Sequence, residues 1–147
     1  MRKLLKVLVV LAAAVLAAFV IIQFLPYGKD HSNPPVSAEP DWDNLETRAI
    51  AKKACFDCHS NETVWPWYSY VAPVSWMIVQ DVEMARGVMN FSEWDRIPGR
   101  RSSDLVIYMV ESGLMPPERY LLQHPDARLS EVEKELFING LSTTLSE

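Results

Sequence analysis

Residues 55–59 read Cys55-Phe56-Asp57-Cys58-His59. Two cysteines three apart, with a histidine directly after the second, restrict what the surrounding chain can build. On a helical turn, residues three and four apart share a face, so Cys55, Cys58 and His59 project to one side. Two thiols on one face can reach the two vinyl groups along one porphyrin edge. The imidazole then comes under the iron, where a proximal histidine is ordinary haem chemistry. C-x-x-C-H is accordingly the attachment signature of c-type haem. Other readings of a cysteine pair are a thioredoxin-like redox couple, half of a zinc site, or two inert buried thiols. A redox couple requires a βαβ setting, and the sequence offers none. A structural zinc site requires four ligands, and the other histidines, His31 and His124, are isolated in a chain with no third cysteine.

The compartment follows from the N-terminus. Arg2, Lys3 and Lys6 precede an apolar run from Val7 to Leu25 that only Gln23 interrupts. Nineteen helical residues span roughly 28 Å, close to the hydrocarbon thickness of a bilayer. A secretory h-region is shorter and ends at small residues. Here Ala12, Ala13, Ala14, Ala17 and Ala18 lie inside the run, and Phe19-Val20-Ile21-Ile22 continues it. The expectation is an uncleaved anchor rather than a cleaved signal peptide. A buried core helix is disfavoured because the run is apolar on every face. The positive-inside bias places the N-terminus in the cytoplasm and the remainder outside. In a bacterium this is the inner membrane with the C-terminal part in the periplasm, where haem is attached to C-x-x-C-H.

All nineteen acidic residues follow the anchor, against eleven of the fourteen basic ones. Such a balance disfavours nucleic acid, which selects basic patches. It permits steering toward a basic redox partner and is equally ordinary solubility charge. Both cysteines are committed to the motif, so no structural disulfide is expected. The covalent cofactor would be the staple of a small domain.

Three segments result: an anchor over residues 1–26, an extended proline-rich linker over 27–42 and a haem-binding domain over 43–147. The linker Pro26 to Pro40 holds four prolines besides His31, which is expected to be solvated. Asp43 and Glu46 form a candidate capping box for a helix running to the motif, with Thr47, Ile50, Ala51, Ala54, Cys55 and Cys58 on one face. Residues 60–70 read as a loop with a dense aromatic cluster, a pocket wall or generic core. Pro73 suits a first helical turn, followed by a stripe of Val74, Ile78, Val82, Ala85 and Met89. Phe91-Ser92-Glu93-Trp94 reads as a short helical turn. Pro98-Gly99-Arg100-Arg101 reads as a loop whose arginines are a solvated pair or propionate ligands. Ser103 or Asp104 caps a further helix with Leu105, Tyr108, Met109 and Ser112 on one side, and Gly113 ends it. Pro116 biases Met115 to an extended backbone, which suits a side chain pointing into a pocket. Ser130 and Glu133 form a capping box for a last helix carrying Val132, Leu136, Phe137, Ile138, Leu141 and Leu145, an arc wide enough to be covered on more than one side. The fold class expected is all-α.

This order resembles class I cytochrome c, in which the opening and closing helices pack together and a loop methionine is the second iron ligand. More closely, the chain resembles a bacterial family described as a haem-binding domain with a C-x-x-C-H motif. The residues that carry this likeness are Phe24 to Gly28, Cys55 to Asn61, Trp65 to Ser69, Ala72 to Trp76, Asn90 to Trp94 and Met115-Pro116-Pro117. The Trp-Pro-Trp-Tyr stretch is not a usual cytochrome c feature. The resemblance implies one covalent haem c, with thioethers on Cys55 and Cys58, His59 as proximal ligand and Met115 as distal ligand. It also implies a proline carbonyl that orients the imidazole, Pro66 or Pro73. Met77, Met84, Met89 and Met109 fall in helical stretches, whereas Met115 does not; His124 is the rival ligand. The family likeness gives a ligand and no physiological role; the function expected is a membrane-anchored, periplasm-facing monohaem carrier of single electrons between redox proteins, and not an enzyme. The alternative is a haem sensor or peroxidase-like enzyme with a displaceable distal ligand and His124 or Arg119 as acid/base group.

Overall fold

The computed structural model describes residues 1–96 and 103–145. The Pro98-Gly99-Arg100-Arg101 loop lies outside them. The fold is all-α, as expected. Among the described residues no strand forms, and the single bridge joins Ala38 to Glu93 in parallel. The chain divides into two compact units, Met1–Ser32 with Trp65–Asp81, and Asn33–Val64 with Val82–Glu147.

The first unit begins with α1 (Arg2–Ile22), none of whose residues is buried. By length and composition α1 is able to cross a membrane. Its apolar run is broken at Gln23 for a structural reason. The Gln23 side chain donates to the carbonyls of Phe19 at 2.9 Å and Ala72 at 3.0 Å, and accepts from the Ala72 amide at 3.0 Å. Gly28 then takes φ +69°, and a Cβ there would lie 2.7 Å from the Trp76 ring. Only glycine combines that backbone with that contact. His31 is not solvated. Its Nε2 lies 3.0 Å from the Ser69 carbonyl, and its ring packs 4.5 Å from Trp65 and 4.2 Å from Tyr70. Aromatic partners more than thirty residues away hold it. The aromatic cluster includes a 3-10 turn over Trp67–Tyr70.

The second unit contains the C-x-x-C-H residues. Its helix α2 (Leu45–Ala54) is capped by Asn44, whose side chain accepts from the amides of Glu46 and Thr47. The cap is therefore one residue later than the expected Asp43, and the amide of Asp43 instead donates to Thr144 Oγ1 at 3.1 Å. A single turn, α3 (Phe56–His59), follows at once. The helix α4 (Val74–Val88) starts after Pro73 in the first unit, enters the second at Val82 and ends ahead of Asn90. Phe91-Ser92-Glu93 is a turn that leads into a 3-10 segment, Trp94–Arg96. Next come α5 (Ser103–Glu111), α6 (Glu118–Leu121) and α7 (Glu131–Thr144). The capping box of α7 is present with both Ser130 and Glu133 bonds.

Ile50, Ala51, Phe56, Phe91, Val110, Phe137 and Leu141 form the core of this unit. Helix α7 packs against both α2 and α5, although Val132 and Leu136 remain exposed. The α2–α7 crossing is close. A Cβ on Gly140 would run into Thr47 Oγ1, and Thr47, Ala51 and Ala54 are buried on the facing helix. Small side chains let two backbones approach this way. Helix α5 presents Val106, Ile107 and Val110 to the core, while Leu105 and Tyr108 are exposed. The buried face is thus nearly half a turn from the expected one.

The proline-rich stretch has an extended backbone, since proline blocks both helix and ladder bonds. Its second half is pinned to the second unit. The Ser37 amide donates to the Ser92 carbonyl at 2.8 Å, and the Pro35 carbonyl accepts from Asn61 at 3.1 Å. Glu39 takes a bidentate pair from Arg48 at 2.7 and 2.6 Å. That guanidinium, the first cause, holds the Glu39 carboxyl below the usual carboxylate range.

Candidate haem-attachment site

The motif does not continue α2 as one helix. At Cys55 the backbone leaves helical geometry, with φ −123° and ψ −32°. It re-enters as one turn, closed by bonds from the amides of Cys58 (3.1 Å) and His59 (2.8 Å) to the Cys55 carbonyl. Ser60 stops the turn with an extended backbone, its hydroxyl donating to the Phe56 carbonyl at 2.7 Å. Both intervening residues have structural work. Phe56 is buried in the core and stacks on Phe91, centroids 5.6 Å apart. Asp57 accepts from the Val64 amide at 3.0 Å with one oxygen and from the Tyr120 hydroxyl at 2.8 Å with the other. The motif is therefore anchored through its two intervening residues, leaving Cys55, Cys58 and His59 partly exposed.

His59 is held at two points by the segment after α4. Its carbonyl accepts from the Phe91 amide at 2.8 Å, and its Nδ1 lies 3.0 Å from the Met89 carbonyl. A carbonyl only accepts, so Nδ1 carries the proton and Nε2 keeps its lone pair. Such an outer bond fixes the tautomer and orientation of a metal-binding imidazole. The orienting carbonyl is thus that of Met89, not that of Pro66 or Pro73. The segment that provides it is itself braced. Asn61 receives a bond from Asn90 at 2.9 Å and donates its amide to Ser92 Oγ at 2.9 Å. Arg86 donates to the Ser60 carbonyl and to Thr63 Oγ1, each at 2.9 Å.

The electrostatics favour neutral groups. Burial pushes the Cys55 thiol up to about 12, with Cys58 adding to the effect. A redox-active pair needs the opposite, a thiol lowered toward neutrality. Burial lowers the pKa of His59, opposed by the carbonyls of Met89 and Ala85. The imidazole is thereby kept neutral at pH 7, the form that ligates iron. Cys55 and Cys58 are not joined in a disulfide. Among the described residues no three His, Cys, Asp or Glu side chains form a group able to hold a bare metal ion. A c-type haem would not ask for such convergence, because it would be held by thioethers from Cys55 and Cys58 and ligated by His59. The donor set therefore fits haem.

Gly113, at φ +70°, ends α5 and turns the chain so that the amides of Leu114 and Met115 both donate to the Met109 carbonyl at 3.0 Å. Met115 is half-buried and followed by Pro116 and Pro117. Tyr120, on α6, carries the bond to Asp57, so the methionine loop and the cysteine motif are tied five residues beyond Met115. Burial first, and then the Asp57 bond, raise the Tyr120 pKa. His124 lies flat on Tyr120, centroids 4.3 Å apart and 10° between planes. Arg119 is exposed on α6. The Met89 carbonyl and the Tyr120–Asp57 bond are the contacts at the motif that side-chain motifs did not reveal. The only signal for the first was the Asn90-Phe91-Ser92 stretch.

No curated protein and no solved structure matches the chain. A family model described as a haem-binding domain does, over residues 17–143. The match starts inside α1, spans both cysteines, His59 and Met115, and ends one residue before the end of α7. The chain belongs to the haem-binding domain family.

Proposed function

We propose that this is a membrane-anchored, periplasm-facing monohaem c-type cytochrome that carries single electrons between redox proteins. The observation that carries the reading is His59, which follows Cys55 and Cys58 and has its Nδ1 proton committed to the Met89 carbonyl at 3.0 Å. Bound haem supplies the one-electron redox change. The chain's residues do the rest. Cys55 and Cys58 would hold the porphyrin through thioethers, and His59, through Nε2, and Met115, through its sulfur, would ligate the iron. A methionine there raises the reduction potential relative to a second nitrogen. The tight α2–α7 crossing supports the likeness to class I cytochrome c. Three cationic residues at the start of α1, Arg2, Lys3 and Lys6, and the absence of buried residues along its apolar length support the anchor and its orientation.

Two filled axial positions separate a carrier from a sensor or peroxidase, which needs a displaceable one. The test compares Met115→Ala with His124→Ala in the loaded protein. Wild-type ferrous protein is expected to exclude carbon monoxide. Met115→Ala is expected to lose the far-red sulfur-to-iron band of the oxidised form, lower the potential and admit carbon monoxide. His124→Ala is expected to change none of these. Rapid carbon monoxide binding by the wild type, or these changes in His124→Ala alone, would overturn the reading.

A further inference from the structure

We infer that the aromatic turn Trp67–Tyr70, together with Phe24 and Tyr27, is a lipid-facing foot that seats the first unit in the outer interfacial layer of the membrane. The inference rests on the reading of α1 as a membrane span. Three observations within that unit carry it. First, the chain does not leave α1 as a free tether. The Gln23 side chain clasps both the amide and the carbonyl of Ala72 at 3.0 Å, which fixes Ala72 at the level where α1 ends. Lys29 Nζ donates to the Gln23 carbonyl at 2.6 Å, a cation at a helix C-terminus where the dipole favours it. Second, the chain folds straight back. Gly28 abuts Trp76, Tyr27 packs edge-on against Trp76 at 6.0 Å, and His31 returns to Ser69 and Tyr70. Third, this corner is aromatic and uncovered: Phe24 is 81% exposed, Tyr27 60%, Trp67 78% and Tyr70 59%.

The depth is consistent. Tyr70 precedes Ala72 by two residues, at most roughly 7 Å of chain. The turn from Trp67 to Tyr70 adds about 6 Å. The headgroup layer on each side of the hydrocarbon is about 5–7 Å thick, and an indole bridges the remaining distance. Trp and Tyr favour this layer because one end of each ring is apolar and the other polar. The occupant is the uncharged acyl–headgroup boundary rather than an anionic lipid, since Lys29 beside Asp30 is the only cation between α1 and His31.

The test uses the wild-type, haem-loaded chain in phosphatidylcholine vesicles containing a lipid-soluble photoactivated carbene reagent, with labelled peptides read by mass spectrometry. Labelling is expected in α1 and in residues 65–72, unchanged by molar salt or by added anionic lipid. The paired change Trp67→Ser with Tyr70→Ser is expected to remove most labelling from 65–72 and leave that of α1 intact. Labelled α1 with unlabelled 65–72 would overturn the foot and leave the anchor standing. Unlabelled α1 would overturn the anchor, and the foot with it. Labelling of 65–72 that disappears in molar salt would overturn the uncharged occupant.

Discussion

Replacing Gly140 by alanine asks the α2–α7 crossing to accept a methyl group for which it has no room. An ideal Cβ at that position collides with Thr47 Oγ1 and stands 2.8 Å from Cγ2 and 2.9 Å from Cβ. Turning Thr47 about χ1 moves the hydroxyl and methyl but leaves its Cβ in place. The helices must therefore part by several tenths of an ångström at their closest point. Overpacking of this kind costs about 1–3 kcal/mol. Parting the helices also weakens the bond from the Asp43 amide to Thr144, worth about 1 kcal/mol. The higher helix propensity of alanine returns about 1 kcal/mol. The net expectation is a loss of about 2 kcal/mol, or roughly 10 °C in Tm for a unit of this size. Guanidinium unfolding followed by far-ultraviolet circular dichroism measures it, and the midpoint should fall with an unchanged slope. Thr47→Ala removes the two atoms beyond Cβ, so the double variant should recover more than half of the loss relative to Thr47→Ala alone. A Gly140→Ala protein as stable as the wild type, or more so, would refute the crossing.

Two further outcomes concern the motif and the closing helix. Tyr120→Phe removes the donor that ties α6 to Asp57 at 2.8 Å and should cost about 1.5–3 kcal/mol, as for a bond to a charged acceptor, measured by the same unfolding midpoint; no change would detach α6 from the motif. Glu133 is held at about 2 by the Lys53 ammonium and by the amide and hydroxyl of Ser130, against an ordinary value of 4.5. A depressed folded value means stability that is present above 4.5 and lost as pH falls toward 2. Glu133→Gln should therefore flatten the dependence of stability on pH across that acid window. An unaltered dependence would remove Glu133 from the account.

Local signals in the sequence carried most of the helices. The Ser130–Glu133 box and the Gly113 stop depend on residues within one turn of each other, and both form. The opening cap moved from Asp43 to Asn44 because both side chains can accept from a helix N-terminus, and packing of the Asp43 amide on Thr144 selects between them. Helix α5 is apolar on two faces, so periodicity alone could not say that Val106 and Val110, rather than Leu105 and Tyr108, would meet α7. His31 looked solvated because its proline-rich neighbours bury little. Trp65 and Tyr70, distant in sequence, enclose it. The imidazole's partner was hidden for a different reason. A backbone carbonyl has no side-chain signature, so nothing about Met89 as a residue type marked it.

The intact mass of the protein extracted from membranes, followed by sequencing of the peptide that contains residues 55–59, tests covalent haem attachment directly. The expected result is one haem added to the 16.8 kDa chain, retained through acid-acetone extraction and joined by thioethers to both Cys55 and Cys58. A chain of unmodified mass whose haem extracts freely would contradict it.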